Sequence, residues 1–93
     1  MCERKIEKEL VAQVKAMGGI APKFTSPGFD GMPDRLVLLP SGRMAFVELK
    51  APGKKPRALQ MARYRLLRRL GFKVYVIDEI NQIDSVLEEI DHE

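Results

Sequence analysis

The sequence predicts a small α/β (α+β) domain with the element order α-β-β-β-α-β-α and a central mixed sheet flanked by helices. Apolar residues recur at helical spacing near both ends of the chain and again after residue 57. Between these stretches, alternating residues flank turns rich in proline and glycine, which is typical of strands. The chain has 93 residues, so we expect residues 1–93 to form one domain.

The first quarter of the chain is predicted to form a helix and then an edge strand. A helix over residues 3–17 is expected to end at Gly18, and residues 20–26 form a short strand. The apolar stripe of the helix consists of Ile6, Leu10, Val14 and Met17. Pro22 places the strand at a sheet edge or at a strand start, and residues 27–31 form a loop.

A hairpin follows, with strands over residues 35–39 and 44–50. The turn Pro40-Ser41-Gly42 suits a type I turn with Gly42 in the left-handed position of a three-residue loop. In this register Asp34 lies opposite Glu48, with Cβ atoms about 4.5–5.5 Å apart. A slip of one residue would put the two carboxylates on opposite faces of the sheet.

The second half of the chain is predicted as helix, strand and helix. Residues 57–70 form a helix that ends at Gly71, and residues 72–77 form a strand reached by a crossover. The expected buried stripe of the helix consists of Leu59, Ala62, Leu66 and Leu70. In the strand, Val74 and Val76 lie on one face. A closing helix buries Ile83, Val86, Leu87 and Ile90.

Composition narrows the class of protein. Hydrophobic residues make up 45% and charged residues 31%, which describes a folded protein rather than a disordered one. The sequence contains neither a secretory signal nor an apolar run of about 18–20 residues, so we expect a cytoplasmic protein without a membrane partner. The lone Cys2 excludes an intrachain disulfide, and no zinc site can be drawn.

The net charge is +3, and residues 50–69 contain eight Lys and Arg residues and no acid. Such a stretch suits a polyanionic partner, but a solvated basic helix face has the same composition. Residues that border the loops or lie on the second helix are candidates for contacts with DNA: Lys23, Ser26, Lys54, Lys55, Arg57, Arg63 and Tyr64. Tyr64 is expected either to stack on nucleic acid or to be half-buried.

Two carboxylates and a lysine form the candidate catalytic site. Asp34 and Glu48 offer hard oxygen ligands to Mg²⁺, the Leu49 carbonyl is a third candidate ligand, and Lys50 shares a strand face with Glu48. Beside such a metal a lysine would orient the attacking water or stabilise the developing charge. Gln60 is a candidate for orienting that water or contacting a phosphate, with a solvent-facing side chain as the alternative. The pattern Glu-x-Lys alone is weak evidence for a catalytic site, because sequences rich in charged residues often contain it by chance.

Several segments together resemble a VRR-NUC domain, a branch of the PD-(D/E)XK nuclease superfamily, in its stand-alone phage and bacterial form. These segments are Phe24-Thr25-Ser26-Pro27-Gly28, Gly31-Met32-Pro33-Asp34-Arg35, Phe46-Val47-Glu48-Leu49-Lys50-Ala51-Pro52-Gly53, Gln60, and Leu70-Gly71-Phe72-Lys73-Val74-Tyr75-Val76. The resemblance implies a restriction-endonuclease-like core and dependence on Mg²⁺, with Mn²⁺ able to substitute. It also implies cleavage of branched DNA such as Holliday junctions by a homodimer, without a small-molecule cofactor.

The resemblance also implies roles for single residues. Asp34 and Glu48 would be metal ligands, Lys50 the catalytic lysine and Gln60 the helix glutamine of the motif. Glu7 would be the acid of the first helix, although Glu3 lies one turn away on nearly the same face. Two rival functions stay open: a nucleic-acid-binding module without catalysis, and a nuclease indifferent to branches. A phage-encoded enzyme acting in a bacterial host fits the stand-alone form.

Overall fold

The computed structural model describes residues 2–92, so Met1 and Glu93, the ends of the predicted domain, lie outside the described residues. The helices are α1 (Glu3–Ala16), α2 (Ala58–Arg69) and α3 (Ile83–Ile90), and the strands are β1 (Arg35–Leu38), β2 (Met44–Leu49) and β3 (Val74–Ile77). Short 3-10 turns lie at Pro40–Gly42 and Ile80–Gln82. No helix among residues 2–92 is long and apolar enough to cross a membrane.

The sheet is mixed, as predicted, with the order β1-β2-β3. β1 pairs with β2 in antiparallel orientation, and β2 pairs with β3 in parallel orientation through the α2 crossover. The element order matches the predicted α-β-β-β-α-β-α once the segment before β1 is included. This confirms the predicted fold class.

The predicted first strand is an irregular edge segment, residues 20–24, that bonds to β1 without forming a continuous ladder. Ile20 exchanges backbone hydrogen bonds with Leu38, and the Leu36 N–H donates to the Pro22 carbonyl at 3.0 Å. Pro22 has no N–H to return that bond, so the ladder is interrupted at its centre. Proline at this position therefore explains why only isolated bridges are formed.

The predicted hairpin register is confirmed, although the predicted turn geometry is wrong. Leu38 pairs with Met44, and the Leu39 N–H donates to the Arg43 carbonyl at 2.8 Å. Ser41 as well as Gly42 adopts positive φ, with φ 68° and ψ 21° at Ser41, which a type I turn does not contain. The loop still has three residues, so the register that places Asp34 opposite Glu48 is retained.

Most of the apolar core lies between one face of the sheet and the helices α1 and α3. Ile6, Leu10 and Val14 of α1 are fully buried there, as their spacing predicts, while Met17 is partly buried against them. The predicted stripe of α3 is buried as well. Their side chains pack against Val37, Val47 and Ile77 of the sheet.

Helix α2 packs against the other face of the sheet, and its predicted buried stripe is wrong. The buried residues are Gln60, Tyr64 and Leu67, whereas Leu59 is 46% exposed and Leu70 is 63% exposed. Ala62 and Leu66 are only partly buried. The helix is turned by about one residue relative to the predicted stripe, because it directs a polar side chain, Gln60, towards the sheet. Gln60 makes hydrogen bonds there that offset the cost of its burial.

Candidate active site

Asp34 and Glu48 lie on the face of the sheet that α2 covers. The antiparallel strands pair Arg35 with Val47. Continuing this register by one residue sets Asp34 opposite Glu48. Glu48 is only 4% exposed, and Asp34 is partly buried. Two carboxylates therefore face each other where little solvent is present to screen them.

The surroundings of Asp34 raise the pH at which its carboxyl group ionises. Burial, and next the negative charge of Glu48, raise the pKa of Asp34 from 3.8 to about 6. The Leu49 N–H opposes this by donating to Asp34 Oδ1 at 3.2 Å. A positive charge nearby would therefore favour the ionised form of Asp34.

Lys50 and Gln60 both contact one carboxylate oxygen of Glu48. Lys50 Nζ lies 3.3 Å from Glu48 Oε2, and Gln60 Nε2 donates to the same oxygen at 3.4 Å. Gln60 Oε1 accepts from Lys50 Nζ at 3.2 Å and from the Arg57 N–H at 2.8 Å. The two donors at Oε1 and the carboxylate at Nε2 fix the orientation of the amide. Gln60 therefore forms hydrogen bonds with Lys50, with Glu48 and with the backbone at the start of α2.

The other oxygen of Glu48 makes no hydrogen bond of regular geometry among the described residues, although the Tyr64 hydroxyl interacts with this carboxylate. This oxygen, Glu48 Oε1, is fully buried. A buried carboxylate oxygen without a donor of regular geometry is costly, whereas a divalent cation would satisfy it. No group of three or more His, Cys, Asp or Glu side chains within residues 2–92 could hold a metal. A site with two carboxylates suits Mg²⁺, because this ion keeps several of its own waters.

The Leu49 carbonyl remains a reasonable third ligand. Odd-numbered residues of β2 bond to β1, as the Leu39–Arg43 hydrogen bond and the Leu49–Asp34 contact show. The Leu49 carbonyl therefore points towards the chain that precedes β1, where its ladder partner would be Pro33. Proline offers no N–H, so the ladder does not occupy this oxygen.

Of the two candidate acids on the first helix, Glu7 and Glu3, Glu7 is engaged elsewhere. Its carboxylate accepts a hydrogen bond from the guanidinium of the buried Arg35, which also donates to the Ala21 carbonyl at 2.6 Å. The charge of Glu3, in contrast, contributes to the raised pKa of Asp34. Arg35 was not recognised from the sequence, because nothing local marks an arginine within a strand as the buried partner of a helix acid.

The residues predicted to contact DNA fall into two groups. Lys23, Lys54, Lys55 and Arg57 are exposed, whereas Ser26 and Arg63 are partly buried. The Arg63 guanidinium lies 3.9 Å above the Phe29 ring, and its Nε donates to the Asp30 carbonyl at 2.7 Å.

Tyr64 contradicts the prediction that it stacks on nucleic acid. It is 2% exposed, and it packs with Leu67 and Val74 between α2 and the sheet. Burial, then the charge of Glu48 and the interaction of that carboxylate with the hydroxyl, raise the pKa of the Tyr64 hydroxyl, which makes no hydrogen bond of regular geometry in residues 2–92. A side chain enclosed in this way offers no ring face to a base.

Replacing Tyr64 with Phe is expected to lower the free energy of unfolding by about 1 kcal/mol, because it removes a buried hydroxyl that interacts with the Glu48 carboxylate. DNA affinity should stay unchanged, since the ring is inaccessible. Urea denaturation and a DNA-binding titration would measure the two quantities. Weaker DNA binding by a fully folded Tyr64→Phe protein would contradict this assignment.

A mixed sheet that carries opposed carboxylates and a neighbouring lysine beneath a helix defines a nuclease of the restriction-endonuclease-like class. No family model matches the chain. It is 51% identical over 85 residues to "Putative nuclease p44" of Acyrthosiphon pisum secondary endosymbiont phage 1, and the match covers 91% of this chain and 90% of that protein. A solved structure described as a VRR_NUC domain superposes with a TM-score of 0.85 and 33% identity, over 92% of this chain and 94% of the other. The chain belongs to the VRR-NUC nuclease family.

Proposed function

We propose that this nuclease is a metal-dependent endonuclease that hydrolyses phosphodiester bonds in branched DNA. The buried Glu48 Oε1, which accepts no hydrogen bond of regular geometry and belongs to a carboxylate opposite Asp34, carries the proposal, because it leaves a place among the described residues that a cation with hard-ligand preference would fill. Lys50 lies beside that place, 3.3 Å from the other Glu48 oxygen. Mg²⁺ is the expected metal, and Mn²⁺ should substitute for it.

Each side chain has a defined task in this reaction. Asp34, Glu48 and the Leu49 carbonyl would hold the metal, which supplies positive charge and lowers the pKa of a bound water. Lys50 donates a hydrogen bond to the attacking water or to the phosphoryl oxygen that gains negative charge. Gln60 keeps Lys50 and Glu48 in place through its amide. The water oxygen forms the new bond to phosphorus as the bond between phosphorus and the leaving oxygen breaks, and the proton that the water loses is balanced by the proton that the leaving oxygen takes up from solvent.

DNA is the proposed substrate, and its backbone is the proposed point of contact. The exposed residues Lys23, Lys54, Lys55 and Arg57 suit phosphate groups, with Ser26 as a further contact. Phosphate contacts set affinity and register but carry no sequence information, which supports selection by DNA shape. We further propose that the protein acts in the cytoplasm, in keeping with the phage origin of its relative.

The proposal is tested by incubating the protein with four-way, flap and linear DNA in Mg²⁺, Mn²⁺ or EDTA. Metal-dependent cuts that favour the branched substrates are expected. Binding without cleavage in any metal would overturn the proposal and favour a binding module. Equal cleavage of linear and branched DNA would refute the structure selectivity alone.

A homodimer is the proposed assembly, and the sheet offers a surface for it. The face that carries the carboxylates continues into an apolar surface of Ile20, Leu38, Met44 and Phe72, which the register places side by side. Ile20 is 61% exposed and Phe72 is 43% exposed, and Leu70, two residues before Phe72, is 63% exposed. Together the three most exposed side chains present on the order of 300 Å² of apolar surface, enough for the core of an interface of about 800 Å² per partner.

Phe72→Lys is expected to convert a dimer into a monomer, because it buries a charge in that apolar face. Met61→Lys adds the same charge to α2 at an apolar residue that is 47% exposed and lies outside this face, so it should leave the dimer intact. Sedimentation at micromolar concentration would distinguish the two variants. A wild-type monomer, or a dimeric Phe72→Lys protein, would refute this interface.

A further inference from the structure

An aromatic ring is exposed at the tip of the loop beside the candidate active site. Phe29 is 40% exposed, and its N–H donates to the Ser26 carbonyl at 3.1 Å. Pro27 and Gly28 occupy the central positions of this turn, and Gly28 has φ 83°. Proline followed by a residue of positive φ is the pattern of a type II turn. The ring is therefore mounted on a rigid turn rather than on a pliable loop.

Arg63 of α2 contacts one face of the ring. Its guanidinium carbon lies 3.9 Å from the centroid of the Phe29 ring, and its Nε is tied to the Asp30 carbonyl at 2.7 Å. A cation over an aromatic face stabilises this arrangement. One face of the ring is thereby covered by the guanidinium, while much of the ring remains accessible to solvent.

The same loop is fitted closely against the start of α2. A Cβ atom at Gly31 would lie 3.0 Å from Leu59 Cγ and 3.2 Å from the Leu59 carbonyl oxygen, so the loop has no room to shift inward. Leu59 precedes Gln60, whose amide contacts Glu48. Phe29 is therefore linked to the carboxylates in two ways. Gly31 of its loop packs on Leu59, which precedes Gln60, and the chain after Phe29 leads directly to Asp34.

We propose that Phe29, backed by Arg63, is a stacking platform for a base that has a free face at a DNA branch, next to the phosphodiester that is cut. This inference rests on the proposed cleavage of DNA and adds a residue that selects the substrate. Bases in a continuous duplex already stack on their neighbours, whereas a base at a branch or in a single strand has a free face. Stacking on an aromatic side chain changes affinity by roughly 5- to 150-fold per base. The platform therefore favours branched over linear DNA.

The test uses a four-way junction with 2-aminopurine beside the branch and a matched linear duplex, both titrated in EDTA so that metal-dependent cleavage is suppressed. Wild-type protein should quench the 2-aminopurine fluorescence. Phe29→Ala and Phe29→Leu should weaken junction binding by roughly 5- to 150-fold and abolish the quenching. Neither variant should alter binding to the linear duplex.

Two further variants separate stacking from general packing. Phe29→Trp keeps a flat ring and should retain both junction affinity and quenching, whereas Met61→Ala, which truncates an exposed residue of the same helix as Arg63, should behave as wild type. Wild-type binding by Phe29→Leu, or an equal loss on junction and duplex by Phe29→Ala, would overturn the platform. Junction cleavage by Phe29→Ala at the wild-type rate refutes the platform alone. Quenching without any cleavage in metal refutes only the proposed function.

Discussion

Asp34→Asn is expected to abolish DNA cleavage while making the metal-free protein more stable at pH 8. Cleavage should fall by at least about 10³-fold, because a neutral amide is a poor ligand for a hard cation. Stability should rise because the substitution removes one of two carboxylates that face each other in a partly buried site. The amide oxygen of the replacement side chain would still accept the Leu49 N–H, so the local structure should be preserved.

The gain in stability has a defined pH dependence. The pKa of Asp34 is raised in the folded state to about 6 from 3.8, so between these values the folded protein holds a proton that the unfolded chain has lost. The free energy of unfolding therefore decreases as the pH rises through this window, and below about pH 4 the penalty is absent. The advantage of the Asp34→Asn variant should be about 1 kcal/mol at pH 8, after allowance for the solvent that reaches this carboxylate.

Chemical denaturation in EDTA at pH 4 and pH 8 would measure this effect. Asp30→Asn changes an exposed acid of the neighbouring loop and should alter neither cleavage nor the pH dependence. Addition of Mg²⁺ at pH 8 should stabilise the wild type by mass action but not Asp34→Asn. A destabilised Asp34→Asn protein, or one that cleaves at the wild-type rate, would contradict the assignment of Asp34.

Lys50→Ala should reduce the rate of cleavage by about 10²- to 10³-fold, the effect of removing one donor that stabilises charge in a transition state. Lys50 is not a proposed metal ligand, so Mg²⁺ should still stabilise this variant. That result would separate the role of Lys50 from the role of Asp34. Affinity for DNA should change little, because Lys50 is mostly buried against Glu48 and Gln60.

Single-turnover cleavage of a junction, together with thermal unfolding with and without Mg²⁺, would test this prediction. Lys54→Ala is the matched control, since Lys54 is exposed in the following loop and its replacement removes the same charge. It should weaken binding without lowering the rate at saturating enzyme. If Lys50→Ala and Lys54→Ala affected binding and rate alike, Lys50 would be a phosphate contact rather than a catalytic group.

The position of Asp34 opposite Glu48 could be predicted because it depends only on loop length. Three residues between Leu39 and Arg43 fix the pairing of every later residue, whichever turn type the loop adopts. The wrong turn geometry predicted at Ser41 therefore did not affect the predicted pairing of Asp34 with Glu48. The stripes of α1 and α3 were equally predictable, since these helices bury only apolar residues against the sheet.

Helix α2 could not be placed correctly by apolar spacing. Its leucines suggested one face, but the contacts of Gln60 with Lys50 and Glu48 lie on another, and they join residues on different elements of the fold. Tyr64 follows Gln60 by one turn and is buried with it. The pairing of Arg35 with Glu7 was missed for the same reason, because a buried ion pair between helix and strand leaves no periodic signal.

Gln60 couples the integrity of the site to the first turn of α2. The side-chain oxygen that receives Lys50 also receives the Arg57 N–H, which has no partner inside the helix. When the first turn of α2 frays, Lys50 and Glu48 therefore lose their hydrogen bonds to Gln60 at the same time. Hydrogen exchange at the Arg57 amide should therefore report directly on the fraction of molecules in which the candidate catalytic groups are assembled.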